Sequence, residues 1–367
     1  MSAPRGTAWL SASRMTTHPE PSLREKIGQM LLVGFRGAAP ADCSLVVRDI
    51  REHHIGGVVL FDQDVADPTL GRRNIHSPAQ VRELLAFLQA QSRVPLFTAV
   101  DQEGGRVNRL KPDYGFPPSI SHEELGRLDD ERETHRHAAT TADTLRAAGF
   151  NLNLAPVVDL DANPDNPIIR GKRRSFSADP GVVARHAAAF VRAHRERGVL
   201  TCEKHFPGHG SARGDTHLGL VDVTATWTER ELEPFRTLAA AGLADMIMTA
   251  HVFNARLDPD RPATLSSKVV TGILRERLGF DGVVVSDDME MRAISSRFGL
   301  EESVPAAVEA GIDLLCFGNN LTYDPDIASR AAAILERAVT SGRIPLSRIN
   351  ASHRRLLALK RRAGLIA

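Results

Sequence analysis

Eight short apolar runs, separated by longer amphipathic segments, are the feature of this sequence that most constrains its fold. We interpret the runs as strands at Met30–Phe35, Gly57–Phe61, Leu96–Val100, Asn151–Val158, Val199–Cys202, Met246–Ala250, Gly282–Val285 and Ile312–Phe317. Helical patterns cover Pro78–Gln91, Glu123–Ala148, Pro180–Arg197, Glu229–Ala241, Ser266–Leu278, Val304–Ala310, Pro325–Thr340 and Leu346–Arg362. Near-continuous apolar runs are typical of parallel strands buried on both faces. Eight strand–helix repeats therefore predict an α/β fold, a TIM-type (β/α)8 barrel.

Polar residues follow five consecutive predicted strands, which supports a barrel over an open sheet. They are Asp101, Asp159, the pair Lys204-His205, His251 and the pair Asp287-Asp288. The carboxyl ends of barrel strands form one active-site face. A doubly wound sheet would gather such groups at a single switch point. We therefore expect these side chains to surround one site.

Composition excludes several classes of partner. The formal net charge is +1 and aromatic residues make up 5%, so we expect no nucleic-acid partner and no membrane surface. No apolar run reaches membrane-spanning length. The three cysteines, Cys43, Cys202 and Cys316, are far apart in sequence, which argues against a disulfide framework and favours a reducing, cytoplasmic location. Residues 1–22 contain no signal-peptide core and are interpreted as a disordered leader, with residues 23–367 as one barrel domain.

Asp287 is the first candidate for catalysis. It directly follows the buried run Val283-Val284-Val285-Ser286, so its carboxylate would be fixed on a rigid strand end. Such a carboxylate can attack an electrophilic carbon. The alternative is that Asp287 or Asp288 caps the next helix. We assign catalysis to Asp287 and capping or support to Asp288.

The loop after the fifth predicted strand holds the second candidate. Pro207, Gly208 and Gly210 exclude a helix there. In extended backbone, Asp215 and His217 would point to the same side, so that the carboxylate fixes the imidazole tautomer and produces a tuned acid/base. A solvated ion pair is the alternative for this triplet taken alone.

A metal site is the other interpretation of this histidine-rich loop. His205 and His209 have the i, i+4 spacing of zinc-binding helices. The helix that would align them is broken by Pro207 and Gly208, and the Glu of a His-Glu-x-x-His motif is absent. We therefore predict no metal and no cofactor.

Three further stretches supply candidate binding residues. Asp101 and Arg109 flank a glycine pair and can exchange hydrogen bonds with sugar hydroxyls, whereas Glu103 and Arg106 are equally well explained as ion-paired residues of the barrel rim. One arginine of the basic run 170–174 would turn into the pocket while the others stay solvated. Met248 and His251 would line the pocket, or belong to the core.

Four motifs together resemble glycoside hydrolase family 3. They are Asp-Gln-Glu-Gly-Gly-Arg-Val at 101–107, Lys-His-Phe-Pro-Gly-His-Gly at 204–210, Asp-Thr-His at 215–217 and Val-Ser-Asp-Asp-Met at 285–289. The resemblance extends from about residue 23 to at least residue 320. It is closest to bacterial single-domain β-N-acetylglucosaminidases of peptidoglycan recycling.

The resemblance implies a retaining, two-step hydrolysis of a carbohydrate substrate. Asp287 matches the family nucleophile, and His217 with Asp215 matches the acid/base dyad of the N-acetylglucosaminidase branch. The sugar-binding positions would be Asp101, Arg109, Arg174, Lys204 and His205. Around Arg174 the chain departs from the usual Asn-x-x-Ile-Gly-x-Arg-Ser-Phe pattern, because Lys172-Arg173-Arg174 offers three adjacent basic residues.

Several other functions compete with this one. A phosphorylase on the same barrel is the nearest, because an imidazole repels an incoming phosphate less than a carboxylate would. A β-glucosidase would leave the Asp-Thr-His triplet without a role, and a non-catalytic sugar-binding protein would need no nucleophile. A metal-dependent hydrolase is the last alternative. The sequence leaves the aglycone and the oligomeric state open.

Overall fold

The computed structural model describes residues 20–366, and an eight-stranded parallel sheet forms its centre. The strands are β1 (Leu31–Gly34), β2 (Gly57–Val59), β3 (Phe97–Val100), β4 (Leu152–Asn153), β5 (Leu200–Phe206), β6 (Met246–Thr249), β7 (Val283–Ser286) and β8 (Leu315–Phe317). Sequence neighbours pair in order from β1 to β7, and β8 pairs with β1. All of these pairings are parallel, as the apolar runs predict.

The sheet closes on itself between β7 and β8. A parallel bridge joins Val285 to Leu314, just before β8. The Ser286 amide donates to the Leu314 carbonyl over 3.0 Å, and the Leu314 amide donates to the Val284 carbonyl over 3.1 Å. The structure therefore confirms the predicted (β/α)8 barrel.

Helices surround the barrel and connect successive strands. They are α1 (Leu23–Gly28), α2 (Ser44–Glu52), α3 (Pro78–Gln89), α4 (His122–Leu128), α5 (Glu131–Ala148), α6 (Pro180–Arg195), α7 (Glu233–Ala240), α8 (Arg292–Ser295), α9 (Leu300–Ala310), α10 (Ile327–Thr340) and α11 (Leu346–Arg362). A π-helix, Lys268–Arg277, takes the place of an α-helix between β6 and β7. The sequence pattern did not predict α1, α2 and α8.

The predicted ends of two strands differ most from the structure. The fifth strand was expected to end at Cys202, but β5 continues to Phe206 because the polar side chains of Lys204 and His205 face buried carboxylates instead of marking a loop. The fourth was expected to reach Val158, but β4 covers only two residues. Pro156 has no N–H to donate, and one isolated bridge, Val157 to Lys204, follows it.

The predicted helix over 123–148 is also wrong, because the chain forms two helices there. Asp129 adopts a left-handed conformation, with φ of 47°, and ends α4. Asp130 then caps α5 by accepting a hydrogen bond from the Arg132 amide over 2.8 Å. The predicted helix over 229–241 starts as a 3₁₀ turn, Glu229–Leu232, before α7.

The amino-terminal end of the barrel is covered by α11. Its buried Lys360 donates to the Gln29 side chain over 2.7 Å and to the Gly56 carbonyl over 3.1 Å, just ahead of β1 and β2. The opposite, carboxyl-terminal end remains open. The leader predicted for residues 1–22 lies almost wholly outside the described residues. Within residues 20–366, no helix has the length and apolar character needed to cross a membrane.

Candidate active site

A cavity of about 650 Å³ lies at the carboxyl ends of the strands. Eight of the nine predicted site residues line it: Asp101, Arg109, Arg174, Lys204, His205, His217, Met248 and Asp287. The ninth, Asp215, contacts the cavity-lining His217 from behind. Side chains from six separate segments of the chain thus meet at one place, which is the usual construction of a barrel active site.

Asp287 lies directly after β7, on the floor of the cavity. Its amide donates to the Thr249 carbonyl over 3.1 Å, and its Oδ1 accepts the Asp288 amide over 2.8 Å. Burial pushes its pKa upward, but the nearby imidazoles of His205, His251 and His217 outweigh burial and lower the pKa of Asp287 to about 2. Asp287 is therefore an ionised carboxylate at neutral pH.

Asp288 supports the turn that follows Asp287. Its Oδ1 accepts the backbone amides of Gly318 and Glu290, over 3.0 Å and 3.1 Å. Burial, together with the charge of Asp287, raises the pKa of Asp288 to about 6. The buried His251 contacts the Asp288 carbonyl through Nε2 at 2.9 Å, and Thr264 Oγ1 through Nδ1 at 2.8 Å. His251 therefore holds the backbone beside Asp287.

The His217 imidazole lines the same cavity as Asp287 but comes from a different element, the loop after β5. Its Nδ1 lies 2.7 Å from Asp215 Oδ1, and the same oxygen accepts the His217 amide over 2.9 Å. The two side chains meet through a turn closed by the Leu218 amide and Asp215 carbonyl, and not through the extended backbone that we expected. Because a carboxylate only accepts, Nδ1 carries a proton and Nε2 is left for the cavity.

A buried ion cluster forms one wall of the cavity. Lys204 Nζ lies 2.7 Å from Asp101 Oδ1 and 2.7 Å from Glu103 Oε1. Arg174 makes a two-pronged contact with Glu103, at 2.7 Å through Nε and 2.8 Å through Nη2. Of the two adjacent arginines, Arg174 thus turns inward and Arg173 pairs outside the cavity with Glu123. Lys172, which was expected to stay solvated, also lines the cavity.

Arg109 lies at the cavity wall between two carboxylates. Its guanidinium is 3.7 Å from Asp101 Oδ2 and 3.6 Å from Asp62 Oδ1. Lys111 reaches Asp62 as well, at 2.5 Å. The carboxylates and cations of this wall can bind a ligand with many hydroxyls, which both donate and accept hydrogen bonds.

His205 is held in its orientation by two neighbours. Nδ1 lies 2.6 Å from Asp159 Oδ2, and Nε2 lies 3.3 Å from Arg174 Nη2. Asp159 also accepts the His209 amide over 2.7 Å. Met248, which pairs with Lys204 across β5 and β6, supplies an apolar contact to the cavity.

The histidines that were weighed as metal ligands contact other side chains. Within residues 20–366, no group of three or more His, Cys, Asp or Glu side chains is arranged to hold a metal ion. His205 is engaged by Asp159, and His209 Nε2 lies 3.3 Å from Thr216 Oγ1.

Sequence reasoning missed or misplaced three carboxylates of this site. Glu103 was weighed as a rim residue, yet it is buried between Lys204 and Arg174. Asp159 was expected at the site from its position after a strand but was given no specific role, and Asp62 was not singled out. For Glu103 a signal existed: Asp101 and Glu103 are two residues apart, and the alternation applied to 215 and 217 would have turned both toward Lys204.

The fold and the cavity define a (β/α)8-barrel enzyme whose site combines an ionised carboxylate with a carboxylate-held imidazole. The family model described as the glycosyl hydrolase family 3 N-terminal domain matches residues 22–359. The chain therefore belongs to glycosyl hydrolase family 3, which confirms the resemblance carried by its motifs.

Named relatives agree with this assignment. The chain is 40% identical over 299 residues to the Beta-hexosaminidase of Xylella fastidiosa, covering 78% of the chain and 82% of that relative. It is 31% identical over 373 residues to Beta-hexosaminidase A of Pseudoalteromonas piscicida, covering 92% of the chain and 60% of the relative. A solved glycoside hydrolase family 3 beta-N-acetylglucosaminidase from Paenibacillus sp. superposes with a TM-score of 0.86 at 39% identity. That match covers 95% of this chain and 64% of the other.

Proposed function

We propose that this protein is a retaining, exo-acting β-N-acetylglucosaminidase. The observation that carries the proposal is that the ionised Asp287 and the imidazole of His217 line the same cavity, with Asp215 bound to His217. Retaining glycoside cleavage needs one nucleophilic carboxylate and one group that acts first as acid and then as base. The names of the relatives support N-acetylhexosamine as the sugar.

In the first step, Asp287 attacks the anomeric carbon of the terminal sugar. The bond from that carbon to the leaving oxygen breaks, and the oxygen takes its electron pair together with a proton from His217 Nε2. The Asp215 carboxylate, 2.7 Å from Nδ1, stabilises the imidazolium that supplies this proton. The product of the step is a glycosyl ester of Asp287.

In the second step, water replaces Asp287 at the anomeric carbon. His217, now neutral, accepts the proton of the water through Nε2, and the ester bond breaks to release the Asp287 carboxylate. Two displacements restore the original anomeric configuration. The low pKa of Asp287, about 2, suits it as a leaving group in this step.

The wall of ion pairs is assigned to sugar recognition. Asp101 and Asp62 present acceptors, and Lys204, Arg109 and Arg174 present donors, all held by their mutual contacts. Because these groups are already paired, a sugar meets them in place, without the entropy cost of ordering long side chains. A pocket closed at its base, as this one is by the barrel interior, accommodates the end of a glycan, which is why we assign exo action.

The leaving group is proposed to be acidic, such as the muramic acid part of a cell-wall fragment, with a chitooligosaccharide as the competing aglycone. Lys172 and Arg106 line the cavity, and neither forms an ion pair within the described residues. A cytoplasmic role in cell-wall recycling belongs to the same proposal. It is supported by the cysteines, because Cys43, Cys202 and Cys316 are all buried and free.

Initial rates on matched aryl β-glycosides of N-acetylglucosamine and glucose, each with and without phosphate, test the activity. We expect release from the N-acetylglucosaminide only, at a rate indifferent to phosphate. Phosphate-dependent formation of sugar 1-phosphate would change the reaction to phosphorolysis on the same residues. Activity on neither substrate would refute the proposal.

Two variants test the assigned roles. Asp287→Ala should abolish hydrolysis of every substrate, because no ester can form. His217→Ala should largely keep kcat/KM on activated aryl glycosides, because this parameter reports the first step and their leaving groups need little protonation. It should lose activity on unactivated disaccharides. Equal losses on both substrates for both variants would contradict the assignment of His217 as acid/base.

A further inference from the structure

A buried acid lies beneath the loop that carries His217, and the reaction as described does not use it. Glu231, in the 3₁₀ turn Glu229–Leu232, is 1% exposed. Its Oε2 accepts the backbone amides of Gly210 and Ser211, over 3.0 Å and 3.3 Å. The backbone packs directly on this side chain: a Cβ at Gly208, whose φ is +122°, would lie 2.6 Å from the Cβ of Glu231. Glu231 therefore fixes the turn over 208–211.

A glutamate at this buried position is unfavourable for the stability of the fold. Burial raises its pKa to about 7, even though hydrogen bonds from Ser211 and Gly210 oppose the increase. Within residues 20–366 it forms no ion pair, and its Oε1 is buried without a hydrogen-bond partner. A buried carboxyl without a cation destabilises a fold relative to an apolar residue of similar size. What the carboxyl does provide is an acceptor for two loop amides.

The turn held by Glu231 shortly precedes the Asp215–His217 dyad in the chain. His209, at the centre of the turn, contacts Thr216 Oγ1 through Nε2 at 3.3 Å, and Thr216 lies between Asp215 and His217. The carbonyl of Thr216 in turn accepts the Ala293 amide over 3.1 Å. A shift of the turn is therefore transmitted to the segment 215–217 both through the chain and through the His209 side chain.

We propose that Glu231 is a positioning residue for the acid/base His217, acting by anchoring the 208–211 turn from which the dyad segment extends. The proposal rests on the proposed function of His217. Removing the carboxylate leaves two buried amides without an acceptor, so the turn moves toward water to satisfy them. The fraction of molecules with His217 in place then falls, while Asp287 and the sugar-binding wall stay where they are.

The leaving-group dependence of kcat/KM tests this, because only a step that needs the proton from His217 should suffer. Glu231→Ala is expected to lower kcat/KM on an unactivated disaccharide by about 10–100-fold and on an activated aryl glycoside by only a few fold. Glu231→Gln keeps a carbonyl oxygen for the two amides and should recover most of the loss. Glu229→Ala is the matched control, since Glu229 lies on the same turn but is exposed and paired with Arg277; it should behave as wild type.

A double variant separates positioning from a general structural effect. If Glu231 acts through His217, then Glu231→Ala adds nothing to the loss already caused by His217→Ala. Additive losses, equal losses on both classes of substrate, or no recovery in Glu231→Gln would overturn the proposal. If Glu231→Ala does not fold, Glu231→Asp can replace it. Its side chain is shorter by one methylene, so the carboxylate is withdrawn from the two amides, and we expect the same dependence of kcat/KM on the leaving group.

A result that refutes the acid/base role of His217 can be told apart from one that refutes only the positioning role of Glu231. A His217→Ala variant that loses both classes of substrate equally would remove the acid/base role itself, and the positioning role of Glu231 would fall with it. A His217→Ala variant that spares activated substrates, combined with an unaffected Glu231→Ala variant, would overturn the positioning role alone.

Discussion

Removal of the Glu103 charge should destabilise the protein more than the loss of any exposed acid. In the variant Glu103→Gln, the shape of the side chain is kept and the charge between Lys204 and Arg174 is lost. All three side chains are at most 9% exposed, and the contacts are 2.7–2.8 Å long. Two buried cations would then have only Asp101 as a close counter-charge from this cluster.

The magnitude follows from burial. Breaking a buried ion pair from one side costs about 3–5 kcal/mol, because the remaining charges stay desolvated. For a chain of this length that corresponds to a fall in melting temperature of about 4–7 °C. Burial alone would raise the pKa of Glu103, but Arg174 and Lys204 hold it well below 4.5. The stabilising contribution is therefore complete above about pH 4.5 and is lost as the pH falls through the lowered pKa.

A neighbouring pair supplies the control. Arg173 pairs with Glu123 on the surface, where the two side chains are 35% and 43% exposed. Glu123→Gln should therefore cost less than about 1 kcal/mol. Melting temperatures of wild type and both variants, measured by scanning fluorimetry from pH 7 to pH 4, test the argument. A Glu103→Gln variant no less stable than Glu123→Gln at pH 7 would refute it.

Three other expectations concern ionisation and packing. Because the pKa of Asp287 is about 2, kcat/KM of the wild type on an activated aryl glycoside should show no acid limb above about pH 3, and a limb above pH 4 would contradict this. A Cβ at Gly318 would lie 2.4 Å from Asp288 Oδ2, so Gly318→Ala should lower kcat by roughly 10–100-fold, with the temperature of melting as a control for folding. Burial lowers the pKa of Lys360 to about 7, so the unfolded chain binds the extra proton and stability should rise from pH 7 to about pH 10 in wild type but not in Lys360→Met.

The barrel was predictable from the sequence because its signal is repeated eight times. Each strand is an apolar run, so an error in one boundary leaves the topology unchanged. The predicted ends of strands and helices are wrong where tertiary contacts override the local sequence pattern. Lys204 and His205 look like the residues of a loop until Glu103 and Asp159 are known to lie opposite them. Asp129 ends one helix and Asp130 caps the next. The spacing of apolar residues, which predicted one continuous helix, gives no sign of this break.

The site was predictable to the extent that its residues lie at the carboxyl ends of strands. Asp287 and Lys204 are placed by the barrel geometry alone. The spacing of Asp215 and His217 predicted their contact, although the backbone between them forms a turn. Asp159 and Glu231 contribute hydrogen bonds to backbone amides far away in sequence, and no residue type or spacing in a single sequence encodes such partners.

The most direct test of the account is the identity of the residue that carries the sugar. His217→Ala, incubated with an activated aryl β-N-acetylglucosaminide and quenched, should accumulate a glycosyl-enzyme, because the base for its hydrolysis is missing. Peptide mass spectrometry should then locate the sugar on Asp287, and the adduct should be absent from Asp287→Ala/His217→Ala. An adduct on Asp288 or another residue, or hydrolysis without any covalent adduct and with inversion at the anomeric carbon, would contradict the account.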